Sequence, residues 1–425
     1  MSRNEQHTIL DLFAGAGGLS EGFWQSGFDL VCHVEMDRDA CETLITRAIF
    51  HELKKLRCLD DYYKYIAGSL SRTEILDKHK IGHCLQSVIN TEIDASSYSR
   101  VLSEINLLLG NRKLDGIIGG PPCQAYSNIG RARDKNSMVG DKRNYLYKFY
   151  LRFLKDLQPN YFVFENVPGL FSAGEGKYLS SMISGMRRLG YVVPEPSLLN
   201  SADYNIPQNR KRVIVVGWKK HVDFDIDNIF STPEQLPFTV EDFLSDLEPL
   251  QAGDTRVLSR YVHDSPIMKS LGISCSSGRV SGHIARPHNP RDKKIYKIAV
   301  EKYLTGERLK YCDLPEKLKT HKNQTSFLDR FKVVSGKERA AQTVVAHISK
   351  DGHYYIHPDL HQNRSLTVRE AARLQTFPDN FKFEGSRTSM FRQIGNAVPP
   401  RMATHLAERI SQQILFKKPR FRSAS

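Results

Sequence analysis

The sequence predicts an α/β protein: a doubly wound parallel sheet, followed by a second, irregular domain with some β content. Two observations carry this. Up to residue 218, short apolar runs alternate with segments of helical period, and each run ends in a glycine or an acidic residue. Beyond it, Pro233, Pro237, Pro249, Gly253, Gly272, Gly278 and Gly282 interrupt the chain and the alternation stops.

Thr8–Phe13 is the first apolar strand, and Asp11-Leu12-Phe13-Ala14-Gly15-Ala16-Gly17-Gly18 turns out of it. Leu19, Phe23 and Trp24 then recur at helical spacing, and Gly27 suits a helix end. A strand, glycine turn and helix in this order let a ligand approach a helix N-terminus. The turn is not G-x-G-x-x-G, since Ser20 occupies the last position. The second strand, Phe28–Val34, ends in Glu35-Met36-Asp37, and an acid about 20 positions past such glycines commonly holds ribose hydroxyls. A nucleoside-bearing cofactor is therefore expected. Asp39–Leu56 predicts a helix, and Asp60–Lys80, charged and without clear period, a surface insertion within 50–90. Asp94 either accepts from an exocyclic amine or caps a helix over Ser96–Leu109.

Leu114–Ile118 is a buried strand that Gly119-Gly120-Pro121-Pro122-Cys123-Gln124-Ala125-Tyr126-Ser127 ends abruptly. Prolines stiffen the approach to the sulfur, and glycines leave room for a flat ligand. A thiol there suits a nucleophile, although a lone cysteine is more often inert. The polar stretch through Lys142, with Arg131, Arg133 and Lys135, reads as a functional loop. Tyr145–Leu157 is a helix, and the strand Tyr161–Phe164 ends in Glu165-Asn166. Gly15, Glu35, Asp94, Cys123 and Glu165 thus fall at the carboxyl ends of successive strands, which share one edge in a Rossmann-like sheet. A helix over Lys177–Leu189 and a strand over Tyr191–Leu199 follow. Gln208-Asn209-Arg210-Lys211-Arg212 then leads into the strand Val213–Trp218, and alternation would put Arg210 and Arg212 on one face, able to clamp a carbonyl or phosphate oxygen.

In the irregular region, Thr343–Ile348 and Tyr354–His357 flank Lys350-Asp351-Gly352 and read as a hairpin. Thr367-Val368-Arg369-Glu370 is a capping box that starts a helix through Gln375, and Pro399 and Pro400 suit the first turn of a helix over Arg401–Phe416.

Charge narrows the function. Between Arg260 and Arg364 stand 20 basic and 10 acidic side chains, a surplus of +10 out of +14 for the whole chain. So concentrated a surplus suits a polyanion-binding surface. The seven cysteines form no C-x-x-C pair, so neither a zinc site nor a disulfide framework is expected. No metal is expected. With no apolar leader or membrane-length run, a cytoplasmic protein is expected.

The matched blocks run nearly end to end: DLFAGAGG at 11–18, E-M-D at 35–37, GGPPCQAYS at 119–127, ENV at 165–167 and QNRKR at 208–212. R-S-L-T-V-R-E-A-A-R-L-Q at 364–375 and QIGNAVPP at 393–400 complete them. In these blocks and their order the chain resembles the DNA (cytosine-5) methyltransferases of the prokaryotic restriction–modification type. The resemblance implies an S-adenosylmethionine-dependent methyltransferase domain over 1–218, a target-recognition domain and hinge over 219–385, and a segment, 386–425, returning to the catalytic domain. It implies Cys123 as nucleophile on carbon 6 of cytosine, Glu165 on the ring nitrogen and amine, and Arg212 with Arg210 on the carbonyl oxygen. For S-adenosylmethionine it implies Phe13, Ala14, Gly15, Gly17, Gly18, Glu35, Met36, Asp94, Pro122 and Asn396. Gln124, Ser127, Gln208 and Thr343 are expected to face duplex DNA. The stretch 50–90 is longer than in compact members, and 219–363 shares no pattern with them, so the latter is expected to choose the target sequence.

A monomer is expected, with no obligate protein partner and with a cognate restriction endonuclease as functional partner. A tRNA methyltransferase of the same fold, a silent DNA-binding regulator and a glutamine amidotransferase are the alternatives. The large basic region disfavours the first, and Cys123, Glu165 and Arg212 together disfavour the second. The third lacks a partner histidine and an oxyanion turn near the cysteine.

Overall fold

The computed structural model describes residues 7–121, 146–320 and 328–416. The expectations for Pro122, Cys123, Gln124 and Ser127 lie outside the described residues.

Residues 8–219 build one sheet. Its strands are β1 (Thr8–Leu12), β2 (Asp29–Glu35), β3 (Val88–Asn90), β4 (Gly116–Gly119), β5 (Tyr161–Asn166), β6 (Tyr191–Val192), β7 (Ser197–Asn200) and β8 (Lys211–Lys219). They lie in the order β3-β2-β1-β4-β5-β8-β6, with β7 also paired to β8. β1 to β5 are mutually parallel, and β8 runs antiparallel to β5. Strands covered on both faces read as continuous apolar runs, which is why TILDL and YFVF were legible. Alternation sends Leu10, Ile117, Phe162 and Val215 to one face, against the helices Tyr98–Leu109, Leu146–Leu157 and Lys177–Arg188. Ile9, Ile118, Val163 and Ile214 face the other way, onto helix α1 (Gly18–Gln25) and the last helix, Pro400–Phe416. A Cβ on Gly18 would stand 2.1 Å from the Val398 carbonyl oxygen, so a glycine lets the returning chain seat itself against the glycine turn.

The rest of the chain packs around a second core, running from Phe238 to Ala397. Its frame is a set of buried arginines. Arg364 donates to both Glu370 oxygens at 2.7 Å. Arg369 donates to the carbonyls of Ser281, Pro378 and Phe381, and Arg373 is paired with Asp246 and Asp379. Burial alone would raise the Glu370 carboxyl, but the Arg364 and His357 charges hold it well below the usual carboxylate range. The capping box at Thr367 forms as the sequence predicts.

Three readings need correction. The hairpin over 343–357 does not form: Ala346–Ser349 is a 3-10 turn, and Ile356 bridges Val333 and Ser365 instead. The buried Tyr355 hydroxyl donates to the Thr343 carbonyl and accepts from Val345 N–H, folding the segment inward. The strand over Tyr191–Leu199 is split into β6 and β7, because Pro194 and Pro196 have no N–H to donate. The stretch after Asp60 is ordered as helices α3 (Leu59–Ile66) and α4 (Arg72–His79). They follow α2 (Arg38–Lys55) and share a core of Phe50, Leu53, Tyr62, Ile66 and Ile75. The helix Arg387–Asn396 is a further element without a sequence expectation.

Candidate active site

The carboxyl edge of the parallel strands places Phe13, Gly15, Glu35 and Glu165. Glu35, at the end of β2, accepts from Gly15 N–H at 2.8 Å through Oε2. Its Oε1 accepts from Met36 and Asp37 N–H at 2.9 and 2.8 Å. Burial raises its carboxyl above the ordinary value, and these backbone donors work against that shift. Glu35 thus ties the end of β2 to the glycine turn. Phe13 stands beside it at φ 58°, a left-handed conformation, with its ring packed partly on the core. Gly15 also has positive φ, and a Cβ there would meet nothing within 4 Å, so the turn opens onto free space. Met36 is 57% exposed, and Asp94 and Asn396 are exposed around the same edge. Asp94 neither ends a strand, since β3 stops at Asn90, nor caps the next helix, whose N-cap is Ser97; its Oδ1 accepts from Ser96 N–H and Ser97 N–H in a local turn.

The second half of the edge is an acid–guanidinium pair. Glu165 on β5 and Arg212 on β8 approach to 2.7 Å, Oε1 to Nε, with both side chains mostly buried. Arg212 also donates to the Lys211 carbonyl at 2.8 Å. β4 ends directly beside this pair: a Cβ on Gly120 would stand 1.8 Å from the Glu165 carbonyl oxygen. Asn166 Nδ2 donates to the Pro121 carbonyl at 3.2 Å, and its Oδ1 accepts from Val167 N–H. Glycines and a buried amide therefore clamp the chain two residues before Cys123 against the strand that carries Glu165. No role was expected for Asn166, although its place after Glu165 at a strand end was the available signal.

Arg210 and Gln208 are corrections. The Arg210 guanidinium is fully buried and donates to the carbonyls of Val344, Gly395 and Ala397 at 2.7, 3.0 and 2.8 Å. It does not share a face with Arg212, because β8 starts at Lys211 and alternation does not extend back to it. Gln208 is buried as well, donating to the Leu374 carbonyl and accepting from Val344 N–H. The Thr343 hydroxyl donates to the Asn209 carbonyl. Arg210 and Gln208 lock the second core to the sheet instead of facing a ligand, while Thr343 stays half-buried.

Asp11 escaped the sequence reading. It lies in β1 at 1% exposure, and neither carboxylate oxygen has a hydrogen-bond partner among the described residues. The Ser20 hydroxyl nearby is turned to the Gly17 carbonyl and His33 Nε2. Burial pushes Asp11 up to about 8; the neighbouring Ser20 hydroxyl opposes the rise and the charge of Glu35 adds to it. The unfolded chain ionises near 3.8 and the folded one near 8, so the folded state holds the extra proton between them. Stability is therefore lost as pH rises from about 4 to about 8, and the loss is complete above it. Asp11→Asn is expected to raise the unfolding free energy of the ligand-free protein, measured by urea titration, by on the order of a few kcal/mol at pH 8 and far less at pH 5. Equal effects at the two pH values would contradict a buried neutral carboxyl.

Comparison with known proteins defines first the class and then the family. A crystal structure of a prophage-encoded DNA modification methyltransferase of E. coli superposes with a TM-score of 0.64 at 24% identity, covering 96% of this chain and all of that one. The S. pombe Dnmt2 methyltransferase gives 0.52 at 15% identity, covering 96% and 99%. The fold is that of an α/β methyltransferase. The Type II methyltransferase M.Bpa9945I of Bacillus paralicheniformis is 41% identical over 96% of this chain and 99% of its own. M1.HphI of Haemophilus parahaemolyticus is 31% identical over 95% and 86%. The family model for C-5 cytosine-specific DNA methylase matches residues 7–65 and 86–412, and the chain belongs to that family. It is a DNA (cytosine-5-)-methyltransferase. The unmatched residues 66–85 lie inside the expected insertion and hold all of α4.

Proposed function

We propose that the chain methylates carbon 5 of a cytosine flipped out of duplex DNA, as the self-protecting partner of a restriction endonuclease. The observation that carries this reading is the Glu165–Arg212 pair clamped beside the end of β4. A base within the duplex stack is unreachable, so it must leave the stack to meet that pair. The Cys123 thiolate adds to carbon 6, and the electron pair of the 5,6 double bond becomes available at carbon 5. Glu165 gives a proton to the ring nitrogen as charge moves onto the ring, and Arg212 holds both Glu165 and the carbonyl oxygen where charge grows. Loss of the carbon-5 proton to a base then restores the double bond and expels the thiolate.

S-adenosylmethionine supplies the methyl group. The open turn at Gly15 and the acids around it fit such a cofactor. Phe13 would lie against the adenine, Glu35 on the ribose, Asp94 on the adenine amine through its second oxygen, and the backbone of Ala14–Gly18 on the methionine end. Met36, Pro122 and Asn396 would close the pocket. The stretch 219–363 would choose the target sequence, and the buried Gln208 would take no part in it.

The test is transfer of labelled methyl from S-adenosylmethionine to a pool of random-sequence duplex DNA, with 5-methylcytosine identified by mass spectrometry and tRNA as the competing substrate. Duplex DNA alone should be labelled, at one sequence context. Glu165→Gln should lower kcat by about 10²–10⁴-fold with cofactor affinity unchanged. Labelling of tRNA, or a variant within about twofold of wild type, would contradict the assignment.

A further inference from the structure

The insertion and the second domain meet at one place whose charge is unexplained by packing. Strands β9 (Thr255–Arg260) and β10 (Arg279–Ile284) form an antiparallel ribbon, and its register sets Arg260 directly opposite Arg279. Like charges directly opposite on neighbouring strands are destabilising. Among the described residues no acidic side chain pairs with either guanidinium. The contrast on the same strand is Arg256, neutralised by Glu248 at 3.1 Å. Nearby Asp264 is paired with Lys269.

The pair is held from the insertion side. The Arg279 guanidinium lies 5.1 Å from the centre of the Tyr63 ring on α3. Ser277 Oγ donates to the Tyr63 hydroxyl at 2.8 Å, and Leu258 packs on the insertion's core. Tyr62 and Tyr65 anchor the same helix to the second domain, donating to the Asn380 carbonyl and to Glu384 at 2.7 Å each. Arg260 itself is exposed.

We infer that Arg260 and Arg279 form a phosphate-binding pair for duplex DNA, with Tyr63 of the insertion as its positioning residue. A phosphate between two guanidiniums turns their repulsion into two charge-assisted contacts. The aromatic face keeps Arg279 extended while leaving its N–H donors free. The inference rests on duplex DNA being the substrate. It also gives the insertion a part in substrate binding, since helix α3 and its core carry the ring that holds Arg279.

The test measures binding of a random-sequence duplex pool to the full chain as a function of salt. Arg260→Ala and Arg279→Ala should each weaken binding several-fold and flatten the slope of log K against log salt by about one. Arg256→Ala removes the same charge from a neutralised position and should leave the slope unchanged. Tyr63→Leu should behave like Arg279→Ala, whereas Tyr63→Phe, which keeps the ring, should behave like wild type. Cofactor affinity and kcat at saturating DNA should be unaltered in all of them. Equal slopes for Arg256→Ala and Arg260→Ala would show an effect of net charge and overturn the site. Unchanged slopes with an altered methylated sequence would replace phosphate contact by base contact and overturn it as well. Absence of duplex binding by the wild type would instead refute the DNA reading above.

Discussion

Cys123→Ser is expected to abolish methyl transfer while leaving DNA and cofactor binding in place. A thiol with an ordinary pKa of ~8.5 is partly ionised near neutrality and needs only modest help from its surroundings. A serine hydroxyl at the same position is far less ionised and a poorer nucleophile toward carbon 6. The chain just before it is fixed independently of the sulfur, by Gly120 against Glu165 and by Asn166 on the Pro121 carbonyl. The substitution should therefore act on chemistry and not on the local fold. Single-turnover kinetics with labelled S-adenosylmethionine, beside separate titrations of DNA and cofactor, measure the two effects apart. Residual turnover at a tenth of the wild-type rate would remove Cys123 from the nucleophile's role.

The second large effect separates two arginines that stand two residues apart. Arg210→Met should destabilise the protein, and Arg212→Met should slow it. Loss of the Arg210 guanidinium leaves the buried carbonyls of Val344, Gly395 and Ala397 without that donor. The Ala397 carbonyl keeps Gln375 Nε2 as a donor, so at about 1–2 kcal/mol for each of the other two acceptors the cost is roughly 2–4 kcal/mol, a large share of a typical folding free energy. Arg212 is bound instead to Glu165, at the edge where substrate charge would grow. Its loss should lower kcat by about 10²–10³-fold, as for other single donors to a developing oxyanion. Thermal unfolding and kcat measured on both variants give the comparison. Equal destabilisation with equal loss of kcat would contradict the division of labour between them.

That division shows where the sequence was legible. Most of the parallel sheet could be read because β1, β2, β4 and β5 are short apolar runs closed by a glycine or an acid, whereas the three-residue β3, ending in Asn90, was not legible. The ligand-facing edge followed, since Glu35 and Glu165 mark strand ends by position alone. Arg210 was misread because strand alternation was carried back past Lys211, where the strand begins. Gln208, Thr343 and Arg210 answer to backbone carbonyls and N–H groups far along the chain, and no local period reports such partners. The same holds for Tyr62 and Tyr65, whose acceptors on Asn380 and Glu384 give the insertion its seat. Asp11 shows the opposite failure: a carboxyl inside a buried strand looked like part of a turn motif, and only the packing reveals its isolation.

Covalent capture on a duplex carrying 5-fluorocytosine tests the central claim most directly. Fluorine at carbon 5 cannot leave as a proton does, so the thioether to carbon 6 should persist once the methyl group has been added. Intact-mass spectrometry of the wild type with S-adenosylmethionine and a random-sequence duplex pool containing that base should show a protein–DNA adduct. Peptide mapping should place it on Cys123, and Cys123→Ser should form none. An adduct of equal yield on the serine variant, or one mapped to another cysteine, would contradict the account.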